Sequence, residues 1–337
     1  MALSTVIVIQ PRQTIAVNAE LRQLALSMLR TQNPEPRVWY LNNSKLWYLD
    51  ESGVEAYVRH TKTPLYKEKM QDAELNCYLG NFNKIAECIY RFEPTIQFER
   101  PPSAVFLDLG CGEALKTVEV VKRLLSPSRR VYFCPVDISE LMLKKAAASA
   151  AAAGIDAYPI QGDFAVDLRK VIDSIPITPN AQCRRFFNLA ANFVNFDRDS
   201  ILATLREAMR SEDTVYFSAQ LSDSSIAYLC KQYIAEHAEK MCFSVLKHLG
   251  FKEQDLEYAV RFNHVSREVE LYFEVKRVPE ELKRIGILKG DLIVVVTSYK
   301  PKREDFEKVA QKYFKGEVIS NEDGTYVGFL GWLRTSA

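Results

Sequence analysis

A doubly wound α/β fold on a parallel sheet, with an accessory α+β domain formed by both flanks, is predicted by three features of this 337-residue sequence. Strand and helix patterns alternate regularly between residues 104 and 220. The first strand is apolar without polar alternation, and it breaks directly into a glycine turn that opens a helix. An unbroken run of Val105, Phe106, Leu107 and Leu109 is what a parallel strand covered on both faces requires. Repeated β-α-β order then implies right-handed crossovers, with helices on both faces of the sheet.

The first core strand spans 104–109 and is followed by Gly110 and Gly112. Glycine there allows positive φ and close approach of the backbone to a ligand, although Asp-x-Gly-x-Gly also occurs in ordinary strand-to-helix turns. Leu115, Val118, Val121 and Leu125 give a helical apolar stripe over 115–125. A strand at 130–135 leads to an alanine-rich helix at 140–153, ended by Gly154. Strands around 157–160 and at 185–189, a helix at 198–209 and a strand at 214–220 complete the repeat. A ligand of such a sheet belongs at the carboxyl ends of its strands.

The flanks depart from this repeat. Residues 1–100 form an expected accessory, substrate-lid region with a helix at 17–30, a Pro-rich break at 33–36, an aromatic hairpin-like piece at 38–48, and helices at 54–60 and 82–90. Residues 101–225 are the expected ligand-binding core. Residues 226–337 are expected to form an accessory substrate domain, with a helix from Ala227 to about Leu249 and strands at 269–276, 292–299 and 326–333. Turns are expected at Gly286, Gly290, Gly316 and Gly324.

Composition narrows the function classes. Lys and Arg number 44 against 43 Asp and Glu, and without a basic run there is no electrostatic footprint for nucleic acid. Seven scattered cysteines, with no Cys-x-x-Cys pair and no histidine at ligand spacing, read as reduced thiols of a cytoplasmic protein without a metal site. The apolar run at 3–9 lacks a basic start and a cleavage site, and no segment has the length of a membrane span. Oligomeric state is not legible.

The strand ends carry the chemistry. Asp137 closes the second strand, where a carboxylate can accept two charge-assisted hydrogen bonds from a ribose diol. The alternative is a helix cap, for which Ser139 is better placed. Gly162-Asp163-Phe164 at the third strand end offers a carboxylate for an exocyclic amine and a ring for a purine face. A dinucleotide loop would place a third glycine where Leu115 stands, so a nucleoside ligand is favoured over NAD.

Together these residues resemble a class I S-adenosylmethionine methyltransferase of Rossmann-like fold. Lys116 and Thr117, Pro135-Val-Asp-Ile-Ser139, Gly162-Asp-Phe164 and Val194-Asn-Phe-Asp197 are similar to the histidine-specific methyltransferase family. The best-known member of that family trimethylates the α-amine of histidine on the route to ergothioneine. Tyr48-Leu-Asp-Glu-Ser-Gly53, Thr63-Pro-Leu-Tyr66 and Val296-Thr-Ser-Tyr-Lys300 extend the likeness over roughly residues 45–335. The resemblance implies S-adenosylmethionine as cofactor, S-adenosylhomocysteine as product, and Gly110, Gly112, Lys116, Asp137, Asp163 and Phe164 as its contacts. Lys116 would meet the methionine carboxylate; otherwise it is a solvated helix lysine. On the substrate side it implies Tyr66, Asn195, Tyr233, Val296 and Ser298, with Tyr66 and Asn195 as the catalytic pair. Asn195 offers a donor and an acceptor, or is a turn asparagine, and Tyr233 is otherwise a core tyrosine.

Three departures separate the chain from histidine-methylating members. Leu49 stands where they have tyrosine, Glu113-Ala114 replaces a glycine-rich continuation, and Val296 stands where they grip the imidazole with glutamate. Loss of that acid removes the reason to bind histidine. The expected activity is N-methylation of a small amine or amino-acid-like metabolite of secondary metabolism. The alternatives are O- or C-methylation of a natural product, or a non-catalytic regulatory subunit. His60, His237, His248 and His264 are dispersed and read as structural or exposed.

Overall fold

The fold is seen in a computed structural model that describes residues 7–8, 22–23, 25–26, 30–31, 37–41, 43, 45–90, 103–125, 130–175, 183–223 and 225–334. The break expected at 33–36 and most of the helix expected at 17–30 lie outside these residues. The chain forms two units, one of residues 1–11, 70–221 and 301–337, the other of 12–69 and 222–300.

The first unit is built on an eight-stranded sheet in the order Ile7–Val8, Ile160–Gln161, Arg130–Asp137, Ser103–Leu109, Arg184–Ala190, Thr214–Gln220, Tyr326–Trp332, Lys315–Ser320. The first six strands run parallel, as the sequence repeat requires. From Ser103–Leu109 the chain winds first toward Arg130–Asp137 and then, on the opposite side, toward Arg184–Ala190. This reversal opens the crevice where α/β sheets bind ligands. Its floor is apolar: Phe106 is buried, with its ring 4.8 Å from Phe186 and 6.3 Å from Phe133.

Three expectations are corrected here. The last strands do not belong to an accessory tail: Tyr326–Trp332 pairs antiparallel with Thr214–Gln220, Phe329 opposite and stacked on Phe217, and Lys315–Ser320 pairs beyond it. Every residue of Thr214–Gln220 is buried, so that strand cannot serve as a solvent edge and needs a partner. Gly316 sits inside a strand rather than a turn. A Cβ there would lie 2.2 Å from the Leu330 carbonyl oxygen. Residues 70–90, expected in an accessory region, contribute helices Ala73–Gly80 and Phe82–Tyr90 to this unit. Helices Phe164–Asp173 and Arg303–Tyr313 were not anticipated.

The second unit holds a five-stranded sheet, Arg30–Thr31, Val38–Tyr40, Leu292–Tyr299, Glu268–Val275, Leu256–Asn263. The aromatic piece at 38–48 is not a hairpin. Val38–Tyr40 pairs parallel with Leu292–Tyr299, and helix Lys45–Leu49 follows. Buried Asp291 anchors the strand by accepting from Trp39 Nε1 at 2.8 Å and from Arg37 Nη2 at 2.9 Å. The single helix expected from Ala227 is two, Ile226–Lys231 and Glu236–Leu246, with Tyr233 in the connection.

The two environments of glycine give a contrast. Gly316→Ala should cost about 1–3 kcal/mol through overpacking against Leu330. Gly80→Ala, at a helix end with nothing within 4 Å of the added Cβ, should leave stability unchanged or raise it by up to about 1 kcal/mol. Urea midpoints of the two variants check this.

Candidate functional site

In the first unit the predicted cofactor residues meet at the ends of the central strands. Gly110 and Gly112 have positive φ, 74° and 54°, and Ala114 follows at 54° before helix Leu115–Leu124 begins. The Gly110 and Cys111 amides donate to the Val136 carbonyl at 2.8 and 3.1 Å. From the other side, Asn192 Nδ2 donates to the carbonyls of Leu109 and Gly110 at 2.9 and 2.8 Å. A Cβ on Gly110 would stand 2.6 Å from that nitrogen, whereas one on Gly112 would meet nothing within 4 Å among the described residues. Gly110 is therefore glycine to admit Asn192, and Gly112 is the residue that faces open space.

Asp137 joins the turn to the second strand. Its Oδ2 accepts from the Gly112 amide at 3.1 Å and its Oδ1 from the Ser139 amide at 2.9 Å. Ser139, not Asp137, caps helix Glu140–Ala152 by accepting from the Met142 amide. The Gly162 amide donates to the Asp137 carbonyl at 3.0 Å and so ties the third strand end to the second. Asp163 Oδ1 caps helix Phe164–Asp173 through the Ala165 amide at 3.1 Å, so it has a structural role beside the expected ligand contact. Phe164 is buried edge-on to Phe196, 5.5 Å between ring centres.

Lys116, the second residue of its helix, is ion-paired with buried Glu74. Ser218 Oγ donates to the other Glu74 oxygen at 2.7 Å. Asp108, two residues before Gly110, is buried and accepts from Asn188 Nδ2 at 2.7 Å, and Asn188 in turn accepts from the Tyr78 hydroxyl. Burial pushes the Asp108 carboxyl up to about 7 against the lowering influence of Thr117, Asn188 and Lys116. Its Oδ2 is buried without a hydrogen bond of normal geometry. Asn195 closes the 3-10 turn Ala191–Asn195, half-buried, and its amide makes no hydrogen bond among the described residues.

The second unit holds the predicted substrate residues Tyr66, Tyr233, Val296 and Ser298, whereas Asn195 belongs to the first. Tyr66, Tyr233 and Ser298 are buried. The Tyr233 hydroxyl donates to Ser298 Oγ at 3.2 Å and accepts from buried Lys300 Nζ at 3.1 Å. Tyr66 and Tyr233 meet edge to face at 5.8 Å. Val296 lies two residues before Ser298 in strand Leu292–Tyr299, on the same face of the sheet. The Asp50-Glu-Ser-Gly53 segment is structural. Asp50 caps helix Glu51–His60 through the Gly53 amide at 2.9 Å, and a Cβ on Gly53 would meet Ser244 Oγ at 2.5 Å. Burial opposes the charge on Asp50, yet hydrogen bonds from His248, Ser52 and Gly53, with Lys247 beside them, hold it well below the usual carboxylate range. Leu49, the departure next to it, is half-buried.

Sequence reasoning missed four groups. Asn192 and Glu74 carry no local signal. Asp108 was visible only as the acid of the glycine motif. His60, set aside as dispersed, lies against the tyrosines, its ring 4.4 Å from Tyr66 and 6.0 Å from Tyr233. Burial, with the charge of His237 added, lowers its pKa to about 4.

A family model described as histidine-specific, S-adenosylmethionine-dependent methyltransferase matches residues 25–318. No curated protein sequence matches the chain significantly. Solved structures that match include the PH0226 protein of Pyrococcus horikoshii OT3, 14% identical, covering 82% of this chain and 98% of its own, TM-score 0.46. Another is an S-adenosylmethionine-dependent methyltransferase from Clostridium acetobutylicum ATCC 824, 13% identical, covering 76% and 99%, TM-score 0.37.

The buried imidazole makes a pH prediction. His60 stays neutral in the folded chain and charges in the unfolded one near its ordinary 6.5, so between 6.5 and about 4 the unfolded state binds more protons. Stability from this source is present in full above 6.5 and is lost as pH falls toward about 4, an effect on the order of 3 kcal/mol. Urea midpoints followed from pH 7 down should fall less steeply in His60→Leu than in the wild type; equal slopes would show that His60 titrates normally.

Proposed function

The chain belongs to the histidine-specific, S-adenosylmethionine-dependent methyltransferase family, and from that premise we propose that it methylates the nitrogen of a small amine or amino-acid-like acceptor other than histidine. S-adenosylmethionine supplies an electrophilic methyl group on a sulfonium and leaves as S-adenosylhomocysteine. The residues of the first unit fit that molecule. Asp137 accepts from the Gly112 and Ser139 amides and, at 4.0 Å, from the Cys111 thiol, and in this reading the same carboxylate also accepts from a ribose diol. Gly112 leaves room beside it. In this reading Asp163 and Phe164 hold the adenine, and Lys116, already shared with Glu74, meets the methionine carboxylate.

On the acceptor side the chain's task is alignment. A neutral amine is nucleophilic without a strong base, and holding reactants in near-attack geometry contributes about 7–11 kcal/mol. Tyr66 and the unengaged amide of Asn195 are the groups we assign to hold the amine. The observation that carries the change of substrate is Val296, buried on the strand face it shares with Ser298. A site built to bind an imidazole N–H needs an acceptor for it, and valine has none.

The proposal sets the enzyme in secondary metabolism and in a reducing cytoplasm, where its seven free thiols persist. Among the described residues no helix is long and apolar enough to cross a membrane.

Calorimetry with S-adenosylhomocysteine should show binding that Asp137→Asn weakens about tenfold or more, the worth of a charge-assisted hydrogen bond. NAD should not bind; tight NAD binding without S-adenosylhomocysteine binding would overturn the cofactor assignment. Mass spectrometry over a panel of amines and amino acids should show a gain of one to three methyl groups on a member other than histidine.

A further inference from the structure

We propose that His60 is a specificity-determining residue that hydrogen-bonds the methyl acceptor, reading an N–H or O–H group on an otherwise apolar or aromatic molecule; this rests on the acceptor-side reading of Tyr66, Tyr233 and Ser298. His60 is 1% exposed, and among the described residues neither of its buried ring nitrogens has a hydrogen-bond partner. A neutral imidazole carries one donor and one acceptor, and native interiors rarely leave either unmet. Each unmet group costs about 1–3 kcal/mol, so an apolar residue would pack here at lower cost if packing were the only role.

The ring is held in place by its own turn. His60 ends helix Glu51–His60, and its carbonyl accepts from the Thr63 amide at 3.0 Å and the Thr63 hydroxyl at 2.8 Å. The chain then turns to bring Tyr66 against the imidazole, with Tyr233 on the same cluster. The neighbouring polar groups bind one another: Tyr233 donates to Ser298 and accepts from Lys300. In the ring cluster the unmet capacity is on the imidazole, and His237, whose charge acts on it, also has a buried Nδ1 without a hydrogen bond among the described residues. Flat aromatic rings around it favour a flat, largely apolar acceptor, and the neutral state of the ring at pH 7 leaves one nitrogen free to accept and the other to donate.

The test uses acceptor pairs that differ by one polar hydrogen: L-tyrosine with L-phenylalanine, tyramine with phenethylamine, and L-tryptophan with its 1-methyl derivative. Wild-type enzyme should favour the polar member of at least one pair by about tenfold in kcat/KM. His60→Leu should raise KM for that member by about tenfold, abolish the preference within the pair, leave S-adenosylhomocysteine affinity unchanged and raise the thermal midpoint. His60→Gln, which keeps a donor and an acceptor, should restore part of the preference. Wild-type turnover with the preference and KM intact in His60→Leu would overturn the role of His60 alone. Failure of the wild type to methylate any member would overturn the amine-acceptor reading, and the proposal with it.

Discussion

The turn after Leu109 is held from both sides, and the nucleotide side of the molecule depends on that grip. Val136 and Asp137 take three of its amides, while Asn192 reaches across the switch point to two of its carbonyls. None of these groups is local in sequence, so the turn takes shape only once strands Ser103–Leu109, Arg130–Asp137 and Arg184–Ala190 are in register. The arrangement costs strain at its far end. Ala190, the residue that aims the chain toward Asn192, sits at φ 48° and ψ −141°, a region that costs about 1–3 kcal/mol for a residue with a Cβ. Strain of this kind survives only where surrounding hydrogen bonds over-determine it, and here they do so next to the proposed ligand.

Beneath the turn lies a buried polar network that explains why residues 70–90 are part of the first unit. Tyr78 donates to Asn188 and Asn188 to Asp108, while Glu74 takes Ser218 and Lys116. Burial is what pushes Asp108 up to about 7, and the nearby Glu74 carboxylate adds to it. Lys116 is the cation that lowers the cost of both carboxylates. Its pairing with Glu74 therefore has a structural reason independent of any ligand, and a methionine carboxylate would share a charge that is already partly committed.

What was legible in the sequence follows from range. Apolar runs, cap residues and strand-end acids are local, and they placed Ser103–Leu109, Leu115–Leu124, Glu140–Ala152 and Thr214–Gln220 to within a residue or two. The pairing of Tyr326–Trp332 with Thr214–Gln220 joins residues more than a hundred positions apart, and nothing in either strand alone names its partner. The same holds for single residues. The glycine motif predicts an opening for a ligand at Gly110, but the group that comes close there is Asn192. His60 has no motif around it, because an unmet nitrogen is defined by neighbours that the fold supplies.

The acceptor side shows how structural residues of a signature can serve specificity without touching substrate. Asp50 and Gly53 fix the start of helix Glu51–His60, the first by capping it and the second by allowing Ser244 to approach. The helix is ten residues long, so its last residue is set about 14 Å along a rigid rod from that cap. His60 occupies that position, and Thr63 locks the turn that follows. In the proposed reading Val296, in place of an acid, takes polarity from one side of the acceptor residues, while the imidazole adds it on a helix end. The family scaffold is kept in that reading, and recognition passes from a carboxylate that selects a ring N–H to a neutral ring that selects a hydrogen-bonding group on a more apolar partner.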